Sequence, residues 1–216
     1  MDGTLVDTEP YWLDAEAELV RTWGGVWTHE DGLTLVGSGL WNSARVLRGR
    51  GVDLTDEQII DHLTDRVMEQ IELTVPWRPG ARELLASVRA AGIPTAVVTM
   101  SIARMAKHIV ALAPAGSFDV VVAGDDVAHS KPHPEPYLHA ARLLGVETTD
   151  CVAIEDSTTG LASAVASGAV SIGVPLHSVL EQGLGYTIWP TLEGRTVTDV
   201  VALFASTITS RRAGVA

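Results

Sequence analysis

The stretch Met1-Asp2-Gly3-Thr4-Leu5-Val6-Asp7 decides how the rest of the chain is interpreted. Asp-Gly-Thr is a short acidic turn, typical of a loop that leaves a buried strand and lines an active site. Such a turn calls for a strand before it, and this sequence gives no residue ahead of Met1. We therefore expect the activity of the protein to depend on residues before Met1.

The composition describes a globular chain with a large negative charge. Its 216 residues suffice for one large domain or for a core with a smaller insert, and 46% of them are apolar. The formal net charge of −12 disfavours nucleic acid or an anionic membrane as a partner. A small anionic substrate would need a local cation, either a bound metal or a placed side chain. The sequence contains two lysines to consider for this purpose, Lys107 and Lys131.

The cysteine content and the lack of targeting patterns bear on the compartment. Cys151 alone cannot form a disulfide framework, and it is interpreted as a buried thiol of a strand. The acidic start lacks the basic and apolar regions of a signal peptide. No apolar stretch approaches the roughly 20 residues needed to cross a bilayer. We expect a cytoplasmic monomer.

Residues 9–75 carry helical patterns only. Apolar residues in 9–23 recur at three- and four-residue spacing, which predicts a helix. Glycines punctuate 29–51, which favours a loop followed by a short helix. Thr55-Asp56-Glu57-Gln58 is a capping-box pattern that opens another helix. The breaker cluster Pro76-Trp77-Arg78-Pro79-Gly80 is the predicted boundary of this helical part.

Strand and helix patterns alternate beyond that boundary. The predicted strands are 93–99, 118–123, 151–155 and 169–174, and the predicted helices are 81–91, 102–109, 134–144 and 161–165. This alternation predicts an α/β fold, a doubly wound parallel sheet with helices on both faces. Ligands of such sheets bind outside the carboxyl ends of the strands.

Polar residues follow each of these apolar runs. Thr99, Gly124-Asp125-Asp126 and Glu155-Asp156-Ser157 lie directly beyond three predicted strands. Singly they are weak indications, since such residues are usually caps or turns and a loop Lys is usually solvated. Together with Lys131 they bring a hydroxyl, a cation and carboxylates to one sheet edge. Metal-assisted phosphoryl chemistry needs that combination.

Four segments in order resemble the motifs of the haloacid dehalogenase-like hydrolases. They are Asp2-Gly3-Thr4-Leu5, Val98-Thr99, Lys131-Pro132 and Ile154-Glu155-Asp156-Ser157. The sequence is most similar to the phosphatase and phosphomutase branch of that family, the β-phosphoglucomutase-like group. The resemblance implies a Rossmann-like core at 1–7 and 78–216, with an inserted α-helical cap at 8–77.

The resemblance also implies residue roles and Mg²⁺ as cofactor. Asp2 would be the second aspartate of Asp-x-Asp, acting as general acid and then base, with its carbonyl on Mg²⁺. Thr99 would hold a phosphoryl oxygen, and Lys131 would neutralise the phosphoryl group and the nucleophile. Asp156 would ligate the metal, and Glu155 would support the metal site. The substrate-binding residues would be Thr99, Ser101, Lys131, Trp12 and Ser38.

The chain departs from the family pattern at the nucleophile. That aspartate, the site of the aspartyl-phosphate intermediate, would stand two positions before Asp2, and Met1 occupies the middle of the motif. The missing segment should include the central strand, and its loss would open a large apolar gap. The cost would exceed the roughly 5–15 kcal/mol by which domains are stable. We therefore favour a start upstream of Met1 over a true truncation.

The residues favour phosphate-ester hydrolysis within the family. An alkoxide leaving group needs a proton, which Asp2 can supply, whereas a halide needs none. Trp12 and Leu40 stand where a phosphomutase would have its relay histidine and phosphate-binding arginine, and Arg45 is a weak substitute. The substrate is expected to be a small sugar phosphate or similar ester, selected by the cap through Trp12, Ser38, Trp41 and Asn42. Both tryptophans could equally be cap core.

Other functions remain as alternatives. A phosphomutase is one, and a truncated pseudo-phosphatase with a binding role is another. A serine hydrolase would need Gly-x-Ser-x-Gly, which is absent from the sequence. His129 and His133 flank Lys131 without metal-motif spacing and are interpreted as solvated loop histidines.

Overall fold

The computed structural model describes residues 1–36 and 39–214. The chain divides into two compact units. One comprises Met1, Gly3–Val6 and Trp77–Ala216, and the other comprises Asp2 and Asp7–Pro76. The first unit contains every strand of the described residues, and the second is helical.

The helical unit is built from four helices, α1 (Glu9–Thr22), α2 (His29–Leu33), α3 (Leu40–Gly49) and α4 (Asp56–Leu73). The capping box of α4 is confirmed, since the Gln58 N–H donates to Thr55 Oγ1 and the Thr55 N–H donates to Gln58 Oε1 at 2.9 Å. Helix α2 was not predicted, although Thr28 and Asp31 form a capping box there. The unit's core is aliphatic: Leu19, Val20, Leu47, Ile59, Leu63, Val67 and Ile71 are buried.

The larger unit alternates strands and helices, as predicted. Its strands are β1 (Ala96–Val98), β2 (Val120–Val122), β3 (Val152–Glu155), β4 (Val170–Gly173) and β5 (Tyr186–Ile188). Its helices are α5 (Ala81–Ala90), α6 (Ala103–Leu112), α7 (Glu135–Leu144), α8 (Thr158–Ala166) and α9 (Val197–Ala213). All strand pairs are parallel. Strand β5 and helix α9 lie beyond the last predicted element.

The parallel strands of the described residues form two sheets, with orders β1-β2 and β3-β4-β5. A cavity of about 420 Å³ separates them and is lined by the edge strands β1 and β3. Side chains from α5, α7 and α9 complete its walls, and the lining is mostly apolar. Met1 also lines this cavity and is buried. The cavity lies where a strand before Met1 was expected to be missing.

Two smaller expectations concern Cys151 and membrane spans. Cys151 stands just before β3 and is half-buried, so its interpretation as a buried strand residue was wrong. Its thiol donates to the Glu147 carbonyl at 3.3 Å, and burial raises its pKa. None of the helices in the described ranges has the length and apolar character to cross a bilayer.

Candidate active site

Lys131 is the central cation of the candidate site. Its Nζ donates to the Val98 carbonyl at 2.9 Å and to Glu155 Oε1. The side chains of Lys131 and Glu155 are only 9% and 6% exposed. The usual expectation of a solvated loop charge is therefore wrong for this lysine. Because Val98 ends β1 and Glu155 ends β3, Lys131 joins the carboxyl ends of the two strands beside the cavity.

Glu155 is enclosed by groups that fix it. The Tyr137 hydroxyl donates to Glu155 Oε1, and a Cβ at Gly160 would stand 2.2 Å from Glu155 Oε2. Burial is the largest single influence on Glu155 and raises its pKa. The charges of Lys131 and the Met1 ammonium, with the hydrogen bonds from Lys131 and Tyr137, together outweigh burial, so the pKa lies below its ordinary value. Burial and the Glu155 charge hold the pKa of Tyr137 well above the usual range. The pair is thus Lys⁺ and Glu⁻, with Tyr137 as a neutral donor.

Asp156 is held by the turn at the start of the chain. Thr4 Oγ1 donates to Asp156 Oδ1 at 2.8 Å. Gly3 has φ +72°, and a Cβ there would lie 2.0 Å from Asp156 Oδ2. Only glycine fits this position, because both the conformation and the space exclude a side chain.

The electrostatics at Asp156 fit a hard cation. Burial raises the pKa of Asp156, the Met1 ammonium opposes this, and the Glu155 carboxylate raises it further. Asp156 is half-buried, and the nearby Lys131 is hydrogen-bonded to Glu155 instead. Carboxylate and carbonyl oxygens are the ligands that Mg²⁺ prefers. The residues present therefore suit the Mg²⁺ that the sequence predicted.

Thr99 follows β1 and belongs to the same cluster. It is 4% exposed, its Oγ1 accepts from the Ser101 N–H at 3.1 Å, and its hydroxyl donates to Ser101 Oγ at 3.2 Å. Since Lys131 binds the carbonyl of the preceding residue, the hydroxyls of Thr99 and Ser101 follow directly on the strand end that anchors the cation.

The other acidic pair at a strand end has a structural role. Asp125 Oδ1 accepts from the Ala103 N–H at 2.8 Å, at the start of α6. Asp126 Oδ2 accepts from the Ala123 N–H at 2.9 Å. These carboxylates cap backbone donors, as acidic pairs after strands usually do.

Arg78 is a site-forming residue that sequence reasoning missed. It is 8% exposed and donates to the carbonyls of Gly3, Val174 (2.9 Å) and Pro175 (3.0 Å). It thereby ties the Asp-Gly-Thr turn to the chain just after β4. The sequence signal was only an arginine within a breaker cluster, and its acceptors lie far away in the chain.

The remaining predicted residues fall in the helical unit or outside the described ranges. Asp2 Oδ1 accepts a 2.6 Å hydrogen bond from Thr8 Oγ1, and Thr8 is 1% exposed. Trp12 lies half-buried on α1. Trp41 is 56% exposed, which makes its interpretation as cap core wrong. Ser38 lies outside the described residues.

Fold and site together define a class of protein. It is a parallel α/β protein in which a buried Lys–Glu pair and an adjacent carboxylate gather where strands end. The sequence matches the model of the haloacid dehalogenase-like hydrolases over residues 1–168. The chain belongs to that family.

Relatives within the family carry phosphatase names. Hexitol phosphatase B of Escherichia coli (strain K12) is 30% identical over 183 residues, covering 81% of each chain. Fructose-1-phosphate phosphatase YqaB of the same organism is 32% identical over 180 residues, covering 82% of this chain and 94% of the relative. The crystal structure of CbbY from Rhodobacter sphaeroides in complex with phosphate has a TM-score of 0.81 and 30% identity, covering 92% and 95% of the two chains.

Proposed function

We propose that the protein is a Mg²⁺-dependent phosphomonoester hydrolase acting on a small sugar-phosphate-like substrate. The observation that carries the proposal is the buried Lys131, which donates to Glu155 and to the carbonyl of Val98, the residue directly before Thr99. In a chain of net charge −12, this placement gives an anionic substrate its local cation. The phosphatase names of the relatives support the substrate class.

The roles proposed for the polar groups are those that the resemblance to the family implies, and their contacts are consistent with them. Lys131 offsets charge on the phosphoryl oxygens, and the hydroxyls of Thr99 and Ser101 hold one of those oxygens. Asp2 carries the proton to the leaving oxygen and then takes one from water. Thr8 orients the Asp2 carboxylate through its 2.6 Å hydrogen bond.

The metal set is proposed from the remaining oxygens. Asp156, with Glu155 contributing negative charge and the Asp2 carbonyl contributing an oxygen, would hold Mg²⁺. When bound, Mg²⁺ supplies positive charge that stabilises the phosphoryl oxygens in the transition state. Thr4 orients Asp156 for this purpose through its 2.8 Å hydrogen bond. Glu155 also positions Lys131, because Oε1 accepts from that lysine.

The proposed reaction needs a carboxylate nucleophile two positions before Asp2, where an aspartyl phosphate would form. The 216 residues do not include that position. Hydrolysis is favoured over phosphomutase action because Trp12 and Leu40 provide no second phosphate site. The helical unit, which approximates the expected cap at 8–77, is proposed to select the substrate.

A matched pair of extended chains tests the proposal. Both carry an apolar segment before Met1, with Asp two positions before Asp2 in one chain and Asn in the other. Phosphate release from hexitol phosphates and fructose 1-phosphate is measured with and without Mg²⁺. We expect turnover only from the Asp chain and only with Mg²⁺. Equal rates for the Asn chain, or no activity of the Asp chain across the panel, would refute the proposal.

A further inference from the structure

The loop before α7 brings two imidazoles and a carboxylate together. His129 Nδ1 lies 2.6 Å from Glu135 Oε2, and His133 Nδ1 lies 3.9 Å from the same oxygen. The centroids of the two rings lie 4.6 Å apart, with the ring planes tilted by 33°. One ligand atom from each of the three residues lies within 4.8 Å of the others. We propose that His129, His133 and Glu135 form a binding site for a divalent transition-metal ion, with Zn²⁺ as the best-fitting ion.

The carboxylate of this site is already fixed in place. Glu135 Oε1 accepts from the Ala128 N–H at 2.9 Å, and Oε2 accepts from the His129 N–H at 3.1 Å. The first of these hydrogen bonds is the largest influence that lowers the pKa of Glu135, so the group is an anion over the neutral range. Outer hydrogen bonds of this kind orient metal-ligating carboxylates and reduce the ordering required on binding.

The Nδ1 atoms of both imidazoles lie near the same carboxylate oxygen, Glu135 Oε2. His133 Nδ1 accepts from the Glu135 N–H at 3.2 Å, which places the lone pair rather than a proton on that nitrogen. His129 Nδ1 donates to the Glu135 carboxylate, so it must lose that proton before it can ligate an ion. An ion bound between the three side chains would form metal–ligand bonds in place of two hydrogen bonds. These are the bond from the Glu135 N–H to His133 Nδ1 and the bond between His129 Nδ1 and Glu135 Oε2.

The ligand chemistry selects the class of ion. Two imidazoles with one carboxylate suit Zn²⁺, Ni²⁺ or Cu²⁺, whereas Mg²⁺ requires oxygen ligands. Three protein ligands leave an open fourth position, which water can fill. The side chains of His129 and His133 are 66% and 51% exposed, so an ion can enter from solvent. The interpretation of both residues as merely solvated histidines, made from their spacing, misses this convergence.

Metal titration of the untagged 216-residue chain tests the site independently of any enzymatic activity. We expect one equivalent of Zn²⁺ to bind by calorimetry, undisturbed by millimolar Mg²⁺, and to shift the imidazole NMR signals of His129 and His133. His129→Ala and His133→Ala should each weaken binding at least tenfold. His29→Ala, which removes an exposed histidine from α2, should leave binding unchanged.

Three Zn²⁺-binding results would refute the proposed site. The absence of a Zn²⁺ isotherm, or an unchanged isotherm for the His129→Ala/His133→Ala double variant, would overturn it. The milder His133→Gln keeps a polar side chain of similar reach, and wild-type Zn²⁺ affinity in that variant would also refute imidazole ligation. Circular dichroism of each variant checks that the fold is retained, which the exposure of both side chains leads us to expect.

Discussion

The volume of the cavity between the two sheets predicts how residues placed before Met1 will change the free energy of unfolding. Met1 lines the cavity, so a short segment fused to it would enter between the unpaired edges of β1 and β3. We consider five valine and isoleucine residues fused before Met1. The matched control carries five glycine and serine residues at the same place.

The magnitude follows from the volume of the cavity. An unfilled space of about 420 Å³ costs about 10 kcal/mol at roughly 24 cal/mol per Å³. Ordering five residues costs about 7 kcal/mol at 1–2 kcal/mol each. The apolar segment should therefore raise the free energy of unfolding by about 3 kcal/mol. The control segment has no apolar side chains to fill the space, so it gains nothing by ordering and should stay disordered.

Urea unfolding followed by circular dichroism measures the difference. We expect a higher midpoint for the apolar fusion and an unchanged midpoint for the glycine–serine fusion. Binding of a hydrophobic dye should fall in the apolar fusion alone, because the cavity is then occupied. Equal midpoints for the two fusions would refute the reasoning, since the cavity would then not be accepting a strand.

Three further predictions concern Lys131, Gly3 and Glu16. Lys131→Met leaves Glu155 buried without its cation and should cost about 3–5 kcal/mol in urea unfolding at pH 7. Gly3→Ala forces φ +72° on a residue with a Cβ, at about 1–2 kcal/mol, and also displaces Asp156. The Mg²⁺ affinity of the Gly3→Ala variant, measured by calorimetry, should fall as well. Burial raises the pKa of Glu16 to about 8, so wild-type stability should fall by a few kcal/mol from pH 5 to pH 8, and Glu16→Gln should flatten that profile.

The direction of the Glu16 effect is fixed by proton linkage. The unfolded state loses the Glu16 proton near pH 4.5, whereas the folded state keeps it to about pH 8. Between these values the unfolded state binds fewer protons, so stability decreases as pH rises. Glu16 Oε2 has no hydrogen-bond partner among the described residues, which is consistent with a neutral acid held by burial. A flat wild-type profile over this range would contradict the assignment.

Each substitution has a control in the same chain. Lys107→Met removes an exposed lysine and should change stability little. Gly92 also has a positive φ, +71°, but a Cβ added there has no atom within 4 Å. Gly92→Ala therefore measures the cost of backbone strain alone, and the additional loss in Gly3→Ala is the cost of the clash with Asp156. Glu30→Gln alters an exposed glutamate and should leave the pH profile intact. If Lys131→Met is no more destabilising than Lys107→Met, the ion pair is not stabilising the fold.

The elements that the sequence predicted have strong local signals. Apolar runs bounded by glycine, proline or acidic residues located β1 to β4, and alternation with helices predicted the parallel topology. The missed helices α2 and α9 both begin at Thr-x-x-Asp capping boxes, Thr28–Asp31 and Thr196–Asp199. A search for Glu or Gln at the third position overlooks them. Helix α9 also buries only Val200 among its described residues, which gives it little apolar periodicity.

Some residues of the site could be predicted from local sequence signals, and others could not because their contacts depend on tertiary packing. Thr99 and Asp156 were indicated both by the rule on strand ends and by the family motifs, and Lys131 by the family motifs and the scarcity of lysine. Their partners Tyr137 and Arg78 could not, since a hydrogen bond across 18 or 75 residues depends on how elements pack. A sequence gives the residue type at a position but not the atom that it will contact.

The acceptors of Arg78 have a consequence for how the protein can change. The three described here are main-chain carbonyls, from Gly3, Val174 and Pro175. A carbonyl is present at every position whatever the side chain, so residues 174 and 175 can vary without removing an acceptor. The tie between the first turn and the end of β4 is therefore encoded by one residue, the arginine. Laboratory libraries that reshape the segment after β4 can randomise Pro175 and vary Val174 among apolar residues, since Val174 is buried in the core, while leaving Arg78 untouched.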